Sequence, residues 1–187
     1  THCAESDWAK AFVEQRFGRT DAASLDGFGL LTRHTILAHS NFIDGEDMDL
    51  IERQGAGVAH CPLSNFYFAN AVFPLREALD RHMHVGLGTD ISGGYSPSLL
   101  DGCRHALSAS RTLQSGVHAC LPAHERGASG EPITHQEAFW LATAGGAEAL
   151  DLPTGSFRVG HDFDALLIDT RASASNVHVG KAEDTLE

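Results

Sequence analysis

The sequence predicts an α/β fold in which short strands alternate with helices around a parallel sheet. Strand-like and helix-like patterns alternate at least three times, and short connections separate them, as in repeated βα units. A length of 187 residues with 42% hydrophobic content fits one globular domain or a large piece of one. Several predicted strands also end in a His or an Asp, where a parallel barrel gathers its catalytic groups.

The first part of the chain predicts a helix, a strand and a second helix. Residues 7–17 (DWAKAFVEQRF) carry apolar residues at helical spacing, and Gly18 is expected to end that helix. After a polar loop, HTILAHS predicts a short buried strand over 35–39. EDMDLIERQG then predicts a helix that Gly55 ends.

The middle of the chain continues the alternation. GVAHCP predicts a strand over 57–62 that Pro62 ends, and FPLREALDRH (73–82) predicts a helix. HVGLGTD (84–90) predicts the next strand, with Gly at its turn. LLDGCRHALSASRTL (99–113) predicts a longer helix.

The last part predicts one more helix and a small β element. Residues 114–132 have loop composition and no clear period, so we expect a surface insertion there. THQEAFWLATAGGAEAL predicts an amphipathic helix over 134–150 with Thr134 as its N-cap. From Gly155 onward, GSFRVGHDFDALLIDT shows strand-like alternation with Gly and Asp at turns.

Charge and cysteine content exclude several classes of protein. A net charge of −12 and a pI near 5.3 argue against nucleic acid or an anionic membrane as a partner. No apolar run is long enough to span a bilayer, and no signal peptide opens the chain. The four cysteines form no CxxC pair, which argues against a disulfide framework or a Cys-type zinc site. We therefore expect a reduced, cytoplasmic protein.

Four residues could together form a catalytic zinc site. His2, His39 and Asp90 each lie at the carboxyl end of a predicted strand, and Glu5 follows the first. Zinc takes imidazole nitrogen and carboxylate oxygen and keeps one position open for water, whose pKa it lowers. In this interpretation His2 and Asp90 are ligands, His39 orients the water, and Glu5 transfers protons.

Each of these residues also has a structural interpretation. The His2–Glu5 pair could simply be polar residues at the start of a helix. Asp90 could be a turn residue after Gly88 and Thr89, and His39 could be a hydrogen-bonded histidine of the core. The zinc hypothesis is favoured because all of them fall at one kind of place in the predicted fold.

The motifs THCAE, LAHS, AHCPLSN and GLGTDISGGYS, in this order, resemble the amidohydrolase superfamily and within it the guanine deaminase family. The resemblance implies a distorted (β/α)8 TIM-like barrel with an added small β-sandwich. Residues 1–154 would be strands five to eight of that barrel, with 114–132 as an insertion. Residues 155–187 would belong to the small β domain or to a tail.

The resemblance also implies zinc-dependent hydrolysis of guanine to xanthine and ammonia. His2 and Asp90 match the family's strand-five and strand-eight ligands, and Glu5 matches the glutamate that moves protons. His39 matches the strand-six histidine and would stabilise the tetrahedral oxygen. The implied partners are a purine substrate and, by family habit, a second copy of the chain in a homodimer.

The sequence says less about which residues form the purine pocket. His60 and Asn65 could shape it, although a structural turn is the alternative for both. The residues expected to touch the substrate are Glu5, His39, His60, Asn65 and Asp90.

One part of the family's pattern is missing, because its strand-one HxH pair would precede Thr1. The only HxH here, His82 with His84, lies at the wrong end of its strand. At ~3.3 Å per residue, His84 is roughly 20 Å from Asp90 and cannot share its metal. We therefore expect a fragment that needs two upstream His ligands. Alone, the chain is expected to be inactive and poorly soluble, because half a barrel exposes strand edges and apolar surface.

Two other functions stay open at this point. A related zinc aminohydrolase acting on another purine, a pterin or a triazine would use the same four residues. Alternatively, the chain could be an inactive fragment or a binding module. Zinc cytidine-type deaminases are excluded, because their HxE…PCxxC pattern is absent.

Overall fold

The computed structural model describes residues 1–68 and 70–169 and contains a parallel four-stranded sheet. The strands lie side by side in chain order: β1 (His2–Cys3), β2 (Ile36–His39), β3 (Gly57–His60) and β4 (His84–Leu87). Each neighbouring pair is parallel, so every connection brings the chain back to the side of the sheet where the strands begin. The predicted α/β fold with a parallel sheet is confirmed.

The register aligns the carboxyl ends of the strands. Cys3 pairs with His39, and His60 pairs with Leu87. The segments that leave these ends, including Glu5 and Asp90, therefore begin at one edge of the sheet.

Helices connect the strands and cover the sheet. The described residues contain α1 (Asp7–Phe17), α2 (Asp21–Gly27), α3 (Gly45–Gln54), α4 (Pro62–Tyr67), α5 (Leu75–Asp80), α6 (Leu99–Ser115), α7 (Ala123–Arg126), α8 (His135–Leu141) and α9 (Ala144–Leu150). Every one of these helices is too short or too polar to cross a lipid bilayer.

Side-chain caps define several helix starts. The Ser6 hydroxyl accepts from the Ala9 amide at the start of α1, and Gly18 ends that helix in the left-handed conformation. Thr134 forms a reciprocal capping box with Glu137, which fixes the start of α8. These starts and the end at Gly18 agree with the sequence predictions.

The core lies between the sheet and its helices. Its largest buried apolar side chains come from strands, helices and one connection: Leu37, Met48, Ile51, Val58, Phe73, Leu75, Val85 and Leu141. In strand β4, Gly86 allows helix α9 to pack closely against the sheet. A Cβ atom there would lie 2.7 Å from the Cα atom of Gly146, which is too short for a real contact.

The structure corrects several element predictions. The polar loop after Gly18 contains the short helix α2, because Thr20 caps it and Ala22 and Ser24 are buried. Pro62 begins α4 after strand β3 has ended at His60, since proline suits the first turn of a helix. The predicted strand 84–90 ends at Leu87, and the following residues form the loop that carries Asp90.

The C-terminal predictions are also revised. The predicted helix 134–150 is divided into α8 and α9 at Thr143, whose backbone is not helical. The insertion 114–132 begins inside α6 and contains the short helix α7. Residues 155–169 form no strand, because a strand needs a pairing partner and none of the described residues supplies one. The rest of the predicted β element, 170–187, lies outside the described residues.

Candidate active site

The carboxyl ends of three strands have strained backbone. Ala4, His39, Ser40 and Asp90 have positive φ angles of 41°, 68°, 55° and 48°. For residues other than glycine this conformation is unfavourable, and it often marks functional sites. All four lie at the edge of the sheet where the sequence predicted a site.

His2, Glu5 and His39 form a cluster with metal-binding chemistry. Each offers one ligand atom, and these atoms all lie within 4.8 Å of one another. The two imidazole rings stack with centroids 5.1 Å apart and planes 21° apart. The Nε2 atom of His39 is 3.8 Å from Oε1 of Glu5. The β1–β2 register brings these three side chains together.

The cluster has one accessible side and one buried side. His2 is exposed and Glu5 is half-buried, whereas His39 is only 1% exposed. A small ligand could therefore approach from the side of His2 and Glu5, with His39 forming the floor.

Two buried asparagines connect His39 to the backbone of Glu5. The Nδ1 atom of His39 is 2.9 Å from Oδ1 of Asn65, which lies on α4. Asn65 donates from Nδ2 to Oδ1 of Asn41 at 2.7 Å, and Asn41 donates from Nδ2 to the Glu5 carbonyl at 3.0 Å. Sequence analysis missed Asn41, although its position two residues after His39 was a signal that could have found it.

Asp90 lies at the same edge but outside the cluster that the described residues form. A Cβ atom on Gly93 would come within 2.5 Å of Oδ2 of Asp90, so this carboxylate rests against the glycine of its own loop. Burial raises the pKa of the Cys61 thiol to about 12, and the charges of Asp90 and Glu5 add to that rise. Both carboxylates therefore act on the region around Cys61.

His60 is a histidine buried in the core. It is 1% exposed, and neither ring nitrogen has a partner among the described residues. Its ring lies 5.3 Å from that of Phe73, centroid to centroid. Burial, with a smaller contribution from His39, lowers the pKa of His60 to about 3, so its imidazole is neutral at ordinary pH.

The excluded HxH pair lies where the sequence argument placed it. His84 begins β4 and pairs with Gly57 at the start of β3. Asp90 follows the other end of β4, so His84 is at the opposite edge of the sheet.

The residues present fit a zinc ion in part. The cluster supplies two imidazoles and a carboxylate, donors that zinc prefers, and one side of it is accessible. Asp90 lies at the same edge of the sheet and would be a further carboxylate donor.

Comparison with known proteins places the chain in a family. The sequence profile described as "Amidohydrolase family" matches residues 1–185. The chain belongs to this family. Among curated relatives, it is 37% identical over 179 residues to a protein named "Probable guanine deaminase" of Schizosaccharomyces pombe, covering 92% of the chain and 32% of that protein. It is 39% identical over 154 residues to the guanine deaminase of Mus musculus, covering 81% of the chain and 32% of that protein.

A solved amidohydrolase-type structure agrees with the fold. The guanine deaminase from C. acetobutylicum with bound guanine in the active site matches with a TM-score of 0.75 and 30% identity. The match covers 87% of this chain and 37% of that chain. This amidohydrolase chain spans about a third of the length of the curated relatives it matches.

Proposed function

We propose that the polypeptide containing this chain is a zinc-dependent guanine deaminase that forms xanthine and ammonia. The observation that carries the proposal is the His2–Glu5–His39 cluster at the carboxyl edge of the sheet. The family match and the similarity to guanine deaminases support the choice of reaction and substrate. The four strands would be strands five to eight of a (β/α)8 barrel, and residues 155–187 would begin a small β domain.

His2 and Asp90 would hold the zinc, together with two His ligands from outside this chain. The bound metal would lower the pKa of a water molecule and so supply the nucleophile. In total, water adds to the guanine carbon that bears the amino group, the C–N bond to that group breaks, and ammonia leaves.

This chain's own residues would move the protons. Glu5 is half-buried and close to both histidines, so it can take one proton from the water and give it to the ring nitrogen. Asp90 would accept the second proton of that water, which would pass to the departing amine with the help of Glu5, and His39 would orient the water from the buried side. His60 and Asn65 are proposed to shape the purine pocket, and His60 has two ring nitrogens without a partner among the described residues.

The test is guanine turnover by the complete, zinc-loaded polypeptide, followed by the ultraviolet change from guanine to xanthine. Glu5→Gln keeps the size of the side chain and removes its proton chemistry, so kcat should fall by at least ~100-fold. Glu14→Gln is the matched control, because Glu14 pairs with Lys10 on α1 away from the cluster.

The other outcomes separate the competing functions. No guanine turnover despite bound zinc would overturn the substrate and leave a related aminohydrolase. No turnover and no zinc would favour the inactive fragment or binding module.

A further inference from the structure

The hydrogen bonds behind His39 begin at a group that can only accept. The backbone carbonyl of Glu5 lies 3.0 Å from the side-chain amide of Asn41. A carbonyl has no hydrogen to give, so Asn41 must present its NH2 group there. The side-chain oxygen of Asn41 is thereby directed to Asn65, the next residue in the series of hydrogen bonds that leads to His39.

The same constraint passes along both asparagines to the imidazole. Because Asn41 presents Oδ1 to Asn65 at 2.7 Å, Asn65 must donate from Nδ2. Asn65 then presents its own Oδ1 to the Nδ1 atom of His39 at 2.9 Å. An amide oxygen can only accept, so Nδ1 of His39 must carry the hydrogen.

Burial makes this orientation hard to reverse. Asn41 is 6% exposed, Asn65 3% and His39 1%, so solvent offers little alternative hydrogen bonding. Turning either amide would set two donors or two acceptors against each other, and buried polar groups without partners are costly.

We propose that Asn41 and Asn65 are positioning residues that hold a His39 hydrogen on Nδ1 and so present Nε2 to the cluster. Nε2 is the nitrogen that lies 3.8 Å from Glu5 Oε1, on the side of the cluster. Nε2 is thereby the nitrogen that faces the reacting water. This functional reading rests on the proposed deaminase activity, whereas the tautomer itself does not.

The proposal ties two parts of the site together. The backbone of Glu5 orients the amides that fix His39, while the side chain of Glu5 lies beside Nε2 of His39. A displacement of the Glu5 segment would therefore disturb both the proton carrier and the tautomer of its neighbour.

The direct test is the ring ¹⁵N spectrum of the complete zinc-loaded polypeptide labelled with ¹⁵N-histidine, with the His39 signals identified by their loss in His39→Gln. We expect a hydrogen on Nδ1. An Nδ1 atom without hydrogen in the unmodified protein would overturn the proposal without any other variant.

Substitutions at Asn65 give the second test. Asn65→Asp keeps an acceptor for the Nδ1 hydrogen, so the tautomer should persist. Asn65→Leu removes that acceptor, so His39 without a hydrogen on Nδ1 should appear in the spectrum, and kcat should fall by about 10- to 100-fold. Asn70→Leu makes the same replacement outside the series and should change neither the spectrum nor kcat.

The outcomes keep the two proposals apart. A hydrogen that stays on Nδ1 in Asn65→Leu would contradict the positioning role. The expected tautomers without guanine turnover would support the positioning role and count against the proposed substrate. If Asn65→Leu does not fold, the spectra of the unmodified protein and of Asn65→Asp still decide the question.

Discussion

Two buried histidines at neighbouring strand ends have opposite surroundings. His39 at the end of β2 is bonded through Nδ1 and faces Glu5, whereas His60 at the end of β3 has no partner among the described residues. The sequence motifs LAHS and AHCP each place a histidine at the end of a strand, so the sequence does not tell the two apart. Only side-chain packing distinguishes a histidine held by a hydrogen bond from one that burial keeps neutral.

His60 should make folding sensitive to acid. Its pKa is about 3 in the folded chain, against an ordinary 6.5, so below pH 6.5 only the unfolded state takes up the proton. Stability is therefore lost as the pH falls from 6.5 toward 3. Between pH 7 and pH 5 this amounts to about 2 kcal/mol.

Urea unfolding of the complete polypeptide and of His60→Leu at both pH values would measure this loss. Between pH 7 and pH 5, the free energy of unfolding of the variant should fall by about 2 kcal/mol less than that of the unmodified protein. Equal losses in the two proteins would show that His60 is protonated in the folded state.

The four free cysteines should differ sharply in reactivity. Burial raises the pKa of Cys3 and of Cys61 to about 12 in each case, while Cys120 is exposed. At pH 8 a thiol with that pKa is about 0.01% thiolate, so its alkylation should be more than about 100-fold slower than that of an exposed cysteine.

Timed iodoacetamide labelling with peptide mass spectrometry would compare Cys61 with Cys120 in the same sample. Labelling in urea is the control, since both should then react alike. Fast labelling of Cys61 in the folded protein would mean that the structure around the carboxyl end of β3 opens readily to solvent.

At the scale of elements, local signals predicted helix ends better than helix breaks. α1 covers the predicted residues 7–17 and ends at Gly18 as expected, and Ser6 caps its start, because caps act within one turn. The break at Thr143 follows from contacts distant in sequence. A Cβ atom on Gly145 would lie 3.0 Å from the Val85 carbonyl, so α9 starts where its backbone meets β4.

The loop that carries Asp90 depends on its glycines. A Cβ atom on Gly94 would meet the Thr89 carbonyl oxygen at 2.1 Å, whereas one on Gly102 in α6 would meet Leu87 Cδ1 at an ordinary 3.7 Å. Gly94→Ala should displace the loop and lower guanine turnover by on the order of 100-fold, the cost of misplacing a catalytic group by about 1 Å.

Gly102→Ala is the matched control. It should leave turnover intact and raise the free energy of unfolding by up to about 1 kcal/mol, because alanine favours a helix interior. Turnover assays and thermal unfolding of both variants would check this. Unchanged turnover in Gly94→Ala would mean that the loop does not position Asp90.

At the scale of the whole molecule, the described part leaves sheet edges and aromatic surface open. The outer strands β1 and β4 each have one pairing partner among the described residues. On α1, Trp8 and Phe12 stack with centroids 5.5 Å apart and are 74% and 48% exposed. Open edges and apolar patches of this kind favour association.

The 187-residue chain produced alone should therefore self-associate, bind a hydrophobic dye and show no guanine turnover. Trp8→Lys should reduce dye binding and the apparent size in light scattering. Gln15→Lys, on the same helix, adds the same charge and keeps the aromatic pair, so it should change little. A monomeric chain that binds no dye would contradict this expectation.

The sequence by itself determined the alternation of strands and helices, the family, and the residues at strand ends, because periodicity, caps and motifs are local properties. Tertiary structure decided which of those residues meet: the β1–β2 register joins His2, Glu5 and His39, while Asp90 rests on Gly93. It also decided that Asn41 and Asn65 stand behind His39. Such contacts join residues 24 to 36 positions apart, and only the packed sheet brings them within hydrogen-bond distance.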